Sequence, residues 1–333
     1  MKHLRTLFLV VVVSCAVDCE RDANPLSPPN PPPSQSSIDW EGNYPQVNTG
    51  TQNEILFSSD RFLNTSFAPS VHVTDVSDKN VHGLLNFYFT SGASWSPRRW
   101  KVIFEADTGW YKSVPCLFIA NYDGTGIKQI SPKGEQVVGI AAWSPDGETI
   151  AYLEMDTTNR VFARVKLMKP DGSQARAITG WYGQLTRVTW SPDSKRLVFG
   201  GCEVGSSDVL YIIEADGTNL KILLGLNMVG AYSPSWSPDG QFIAFSSLSY
   251  HDSAYYSNIF TYNVISQQTT QITRTKSDDF TATWSADSKY LVFDSDPADG
   301  LDNSRLRMVA VDGTGNVALT DSLAIDYQPC WYK

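Results

Sequence analysis

The chain has 333 residues, 42% hydrophobic and 18% charged, enough apolar content for a sizeable core in one large domain or two small ones. Its 35 acidic and 26 basic residues give a net charge of −9. Nucleic-acid binding needs basic surface to neutralise phosphates, so that class of partner is not expected.

Lys2 and Arg5 precede an apolar run, Leu7 to Val13, that is too short to cross a bilayer. Residues 1–14 therefore read as a secretion signal. "VVSC", ending at Cys15, resembles a bacterial lipobox, and the resemblance implies a lipid on Cys15. The plainer alternative is an ordinary signal peptide cut nearby. Cys19 fits less well, because Asp18 stands where a small residue is wanted. Ala16 is not the Asp of an inner-membrane retention signal, which favours the outer membrane, on its periplasmic side or at the cell surface. Residues 15–39 include "NPLSPPNPPPSQSS" from Asn24, a Pro-rich tether expected to run extended at about 3.1 Å per residue. It offers nothing apolar to bury, so no secondary structure is assigned to it.

From residue 40 the chain reads as a single all-β domain. Trp recurs at 95, 143, 190, 236, 284 and 331, at spacings of 46 to 48 residues. Behind the first five stands an apolar triad: Val102-Ile103-Phe104, Ile150-Ala151-Tyr152, Leu197-Val198-Phe199, Ile243-Ala244-Phe245 and Leu291-Val292-Phe293. One period earlier lies a sixth, Ile55-Leu56-Phe57. Third strands are expected near Leu117, Val165, Val209, Asn258 and Arg305, and fourth strands near Ile127, Gln174, Leu220, Thr269 and Asn316. Four strands per period of about 47 residues make one propeller blade, so six blades are expected. The first triad has no Trp block before it, and the chain ends on "DYQPCW". The C-terminal strand should therefore complete the first blade and close the ring.

The "WSPDG…IAF" and "DGT" blocks resemble the WD-repeat-related propeller repeat of the TolB family, over roughly residues 48 to 331. Similar repeats occur in prolyl oligopeptidase-like enzymes. The resemblance implies a six-bladed antiparallel propeller and a cell-envelope setting. TolB carries an α/β domain before its propeller, and here the tether takes that place. The repeat also decays locally, at "WSPRR" (Trp95), "WSADS" (Trp284) and "NVISQQ" (Asn263).

The repeated Asp residues (146, 193, 239 and 287 after the Trp; 123, 171, 216 and 312 before Gly) read as turn formers, and the Trp as buried against the neighbouring blade. The tight turns share one face. The longer, unrepeated loops share the other, where binding residues are expected. Candidates are Trp110, Tyr111, Arg160, Trp181, Tyr182, Tyr232, Tyr250, His251, Tyr255, Asp278, Asp279 and Asp326, with Tyr256 beside them. Aromatic faces beside carboxylates suit a glycan, a peptide or a protein. Several of these rings could equally pack the loops.

Asp294, Asp296, Asp299 and Asp302 could hold calcium, but their spacing does not match the EF-hand loop, and a solvated acidic loop is the simpler reading. No cofactor is expected. No nucleophile elbow, zinc motif, P-loop or dinucleotide fingerprint occurs. Some sugar-degrading lyases use related propellers with metal-binding His on the axis, a resemblance that singles out His72 in blade 1 and His251 in blade 5. The leading expectation is a monomeric, lipid-anchored, non-enzymatic binding module. The rival is a polysaccharide hydrolase or lyase using carboxylates such as Asp278, Asp279 or Asp326. Cys116, Cys202 and Cys330 fall in different repeats, as free thiols or with one disulfide.

Overall fold

The computed structural model describes residues 54–59, 70–76, 81–85, 90–98, 100–107, 115–202, 208–224, 229–297, 304–321 and 324–331. The leader, Cys15, the tether, Trp110, Tyr111, Asp299 and Asp302 lie outside these.

The described chain is all-β, in six sheets. Blade 1 holds β1 (Glu54–Ser59), β2 (Ser70–Asp75) and β3 (Val81–Leu85). Blade 2 is β4 (Thr90–Trp95), β5 (Lys101–Asp107), β6 (Pro115–Asn121) and β7 (Lys128–Gln129). Blade 3 is β8 (Gln136–Trp143), β9 (Ile150–Met155), β10 (Phe162–Met168) and β11 (Arg176–Ala177), with β12 (Tyr182–Gly183) added. Blade 4 is β13 (Val188–Trp190), β14 (Arg196–Gly201), β15 (Val209–Glu214) and β16 (Lys221–Leu224). Blade 5 is β17 (Val229–Trp236), β18 (Phe242–His251), β19 (Ala254–Asn263) and β20 (Thr269–Gln271). Blade 6 is β21 (Ser277–Trp284), β22 (Tyr290–Pro297), β23 (Arg305–Ala310) and β24 (Val317–Ala318). Last comes β25 (Asp326–Trp331), which pairs antiparallel with β1 and completes blade 1, as the sequence requires.

The first strands touch one another in an unbroken circle, β4–β8–β13–β17–β21–β25 and back to β4, and so line the axis. The triads supply the second strands. Their aromatic residues, from Phe57 to Phe293, are fully buried, each worth about 1.5–3 kcal/mol. Each packs against the preceding blade, as when Phe104 joins Leu56 and Val71. Across the sheet it meets another ring: Phe104–Phe118, Phe199–Tyr211 and Phe245–Phe260 have centroids 5.2 to 5.8 Å apart. In blade 1 this place belongs to His72, 2% exposed and 5.8 Å from the Phe57 ring. His72 is thus a core residue of the third-from-axis position.

The repeat Trp ties blades together. Trp190 Nε1 donates to Ala142 O at 3.1 Å, and Trp284 Nε1 to Ser235 O at 2.9 Å, each in the preceding blade. The turn Asp residues bind their own loops, as sequence reasoning expects. Asp146, Asp193, Asp239 and Asp287 accept from Ser144, Ser191, Ser237 and Ser285, while Asp123, Asp216 and Asp312 hold the Thr two residues on. The decayed turns keep this geometry. Asn263 Oδ1 accepts from the N–H groups of Ile265 and Ser266 in place of Asp. Ser194 and Ser288 take the left-handed position that Gly147 and Gly240 fill elsewhere, at φ 58° and 60°. Their hydroxyls accept the N–H of Asp146 and Asp239 in the preceding blade, both at 3.1 Å.

Two elements were not legible as strands. "SYHDSAYY" is the end of a ten-residue hairpin, not a loop: β18 and β19 stay paired out to His251 and Ala254. Asp252 and Ser253, at φ 45° and 72°, form the left-handed two-residue turn that matches strand twist. "GWYGQ" contributes β12, which pairs with the free stretch of β10 beyond β11. Cys116, Cys202 and Cys330 are free thiols.

Candidate functional site

The hairpin β18–β19 runs past its neighbours on the loop face. Its tip presents Tyr250 and Tyr255, 61% and 54% exposed, as a cross-strand pair with ring centroids 5.0 Å apart. Two exposed rings in contact form one rigid apolar surface with polar hydroxyls at its edge. Beside them Asp252 meets Lys276 at 2.6 Å, an exposed ion pair of little energetic weight. His251 is partly buried at the same tip, away from the axis.

The base of the hairpin is held at one residue, Ser257. Asp278 Oδ1 accepts its N–H at 2.8 Å, its hydroxyl donates to Asp279 O at 2.9 Å, and Tyr232 bonds the same hydroxyl. Three candidates from the sequence therefore brace the hairpin, two of them buried and Asp278 half-buried. Tyr232 is 9% exposed and Asp279 is fully enclosed. Asp279 also accepts from Ser295 Oγ at 2.6 Å and Thr275 Oγ1 at 2.8 Å, and burial pushes its pKa up to about 6. Asp326 repeats this role one blade on, accepting from Ser59 Oγ at 2.6 Å with no exposed surface. Ser247 stands at the matching place in blade 5, where the partner position is Ala231, and its hydroxyl has no acceptor.

Arg160, Trp181 and Tyr182 form a second group, on blade 3. Trp181 is 43% exposed and lies over the Arg164 guanidinium, 4.4 Å from ring centre to Cζ. Arg164 is fixed by Glu154 at 2.5 Å, and Glu154 lies 3.6 Å from Lys166, which binds Glu135. Tyr182 turns inward and packs on Tyr211 of blade 4 at 5.1 Å. Arg160 is exposed in the turn before β10.

Sequence reasoning missed a set of groups around the axis. Five first strands carry a bulge three or four residues before the repeat Trp, with positive φ at Gly92, Gly139, Ser233, Thr281 and Gln328. The bulge turns an N–H toward the preceding blade. Gln328 Oε1 accepts from Gly92 N at 2.9 Å, and Thr186 Oγ1 from Ser233 N at 3.0 Å. At two other junctions the acceptor is a carboxylate that follows the triad: Glu105 takes the N–H of Gly139, and Asp294 that of Gln328 at 3.3 Å. Desolvation pushes Glu105 up to about 8 and Asp294 up to about 7. Asp294 also accepts from Thr281 and is 5% exposed, so it points inward and does not join the acidic loop proposed for calcium. Among the described residues no group of three or more His, Cys, Asp or Glu is arranged to hold a metal ion. These acids occupy the position after the triad in two of six blades, and nothing local marks them as desolvated.

No family model matches the chain. A stretch of 136 residues, 39% of this chain, is 28% identical to dipeptidyl-peptidase 5 of Porphyromonas endodontalis, of which it covers only 19%. The crystal structure of TolB from Acinetobacter baumannii superposes with a TM-score of 0.68 at 16% identity, covering 84% of this chain and 66% of that one. An oligogalacturonate lyase in complex with manganese superposes with a TM-score of 0.57 at 13% identity, covering 80% and 73%. With six four-stranded antiparallel blades and a ring closed by its last strand, the chain has the fold of the TolB-like six-bladed β-propellers.

Proposed function

We propose that the protein is a binding module of the cell envelope whose working surface is the loop face, with Tyr250 and Tyr255 as its anchor. The observation that carries this reading is the hairpin itself: two touching, half-exposed Tyr rings on a strand pair pinned at its base by Tyr232, Asp278 and Asp279. Large rigid aromatics at a pre-organised site are what binding hot spots use. Trp181 on Arg164 adds a second stacking surface. The ligand class is a protein, peptide or glycan, taken up by a monomer without a cofactor. A lipid on Cys15 and the Pro-rich tether hold the domain at the membrane, with the outer membrane preferred. The match to the TolB structure supports the fold this reading needs.

The test is calorimetric titration of the full chain with a panel of purified envelope proteins and of cell-wall and polysaccharide fragments. At least one should bind, and Tyr250→Ala with Tyr255→Ala should weaken it by about 2 kcal/mol or more, the scale of a hot spot. A folded double variant that binds the same ligand equally well refutes the assignment.

The rival reading, a polysaccharide hydrolase or lyase, draws support from the lyase that shares the fold. Against it, Asp279 and Asp326 are occupied by serine hydroxyls, and His72 lies in the core of blade 1. Depolymerisation of any polysaccharide in that panel would favour it.

A further inference from the structure

Arg187 lies just before β13, three residues ahead of Trp190, at the place where other first strands carry their bulge. Its guanidinium Nη1 donates to Ala282 O at 3.2 Å, in blade 6. A bond that skips blade 5 can be made only across the central channel. The titratable side chains that face it are Cys330 of β25, in blade 1, and Asp294 of blade 6. The side chain therefore stands in the channel, on the far side from its own blade.

The residue is 7% exposed, so its cation is almost wholly withdrawn from solvent. Burial pulls its pKa down for that reason, against the pull of Cys330 and Asp294. A guanidinium has five N–H donors. The bond to Ala282 is its one hydrogen bond among the described residues, and it forms no ion pair there. The Nε and Nη2 hydrogens have no protein acceptor among the described residues and are not sealed from solvent, so this edge opens to the channel. A buried cation with no directly bonded carboxylate is unfavourable, and the Nε–Nη2 edge is the fork that matches a carboxylate in a bidentate pair. Asp294 acts on the guanidinium only through its charge: the two form no ion pair or hydrogen bond, and its Oδ1 accepts from Thr281 and Gln328 N. The same place, three residues before the repeat Trp, holds Gly92, Ile140, Ser233, Thr281 and Gln328 in the other blades, so Arg187 is the one charge at it.

The geometry points to an axial binding site in which Arg187 anchors the carboxylate of a small ligand, an acidic sugar or a peptide C-terminus. This goes beyond the loop-face reading and uses none of its residues.

The test is calorimetric titration of the full chain with D-galacturonate, with D-galactose, and with the tripeptide Gly-Gly-Ala as free acid and as C-terminal amide. The acids should bind, while galactose and the amide should bind at least about tenfold more weakly, the loss expected when a charge-assisted bidentate pair is removed. Whichever acid binds more tightly identifies the source of the carboxylate. Arg187→Gln should lose acid binding, and Arg187→Lys should retain the charge but bind about tenfold more weakly, since an ammonium lacks the fork. If Arg187→Gln fails to fold by circular dichroism, the lysine variant decides. The proposal is overturned if the wild-type chain binds neither acid, if neutral and acidic probes bind alike, or if a folded Arg187 variant binds with unchanged affinity. Tyr250→Ala should leave acid binding unchanged, which separates failure here from failure at the hairpin.

Discussion

Glu105 and Asp294 show how one side chain can carry a junction between blades. Each is a carboxyl group desolvated against the next blade, which offers it one backbone N–H; Glu105 is half-buried and Asp294 buried, and desolvation outweighs that bond, so both are raised. A carboxyl whose folded pKa lies above its unfolded value binds more protons in the native state. Its contribution is therefore fully present below roughly pH 4 and is lost as pH rises through 7 to 8. The turn residues act oppositely: Asp123, Asp193 and Asp287 are lowered, chiefly by Ser or Thr hydroxyls, so their contribution falls away below about pH 4. Thermal unfolding followed by circular dichroism should show a maximum Tm near roughly pH 5. Glu105→Gln should flatten the decline between pH 5 and 8. An unchanged slope would mean that the carboxyl is not desolvated in solution. A second residue-scale case is Ser194. Ser194→Gly removes the bond to Asp146 but also the strain of a left-handed Ser, and should be close to neutral. Ser194→Ala keeps the strain and loses the bond, and should cost about 1 kcal/mol in a urea melt.

At the scale of elements, the innermost strands owe their shape to the bulge. Gly139 sits at φ 74°, and a Cβ there would stand 2.8 Å from the Thr186 carbonyl oxygen of the next blade. Gly139→Ala should therefore destabilise the protein by at least about 2 kcal/mol, measured by denaturant unfolding, because a backbone contact has no room to give. The hairpin β18–β19 depends on Ser257 in a different way. Ser257→Ala removes the hydroxyl shared by Tyr232 and Asp279, and should loosen the hairpin base while the distant blades keep their hydrogen-exchange protection. These elements also show what a sequence exposes. The triads and Trp residues recur because every blade buries the same face, so period and strand count follow from the residues. The acids after the triad do not recur: the six positions hold Ser58, Glu105, Leu153, Gly200, Ser246 and Asp294. Their burial depends on a bulge one blade away, and no local pattern reports that. Tyr232, Asp278 and Asp279 were recognised as belonging to the loop face, but their inward direction is set by Ser257, about 21 to 25 residues distant in sequence.

At the scale of the whole molecule, closure of the ring rests on six residues. β25 alone supplies the innermost strand of blade 1, Trp331 is 4% exposed between blades 6 and 1, and Thr283 Oγ1 accepts its N–H at 3.3 Å. Removing residues 326–333 should leave β1 as an open edge and drive association, visible as higher-order species in size-exclusion chromatography. The anchor proposed at Cys15 makes a separate prediction. Cys15→Ala should move the protein from the membrane fraction to the soluble fraction without changing the Tm of the propeller.

The seam between β25 and β1 also sets an order of events during synthesis. Glu54 to Ser59 emerge first of the described strands, yet their partner follows all the others. Blades 2 to 6 can each pair locally as they appear, whereas blade 1 must wait until β25 has been made. Throughout that interval β1 shows an unpaired inner edge. A chaperone that shields such edges would be needed longest at the N-terminal side, and the completed circle would then dismiss it in a single step.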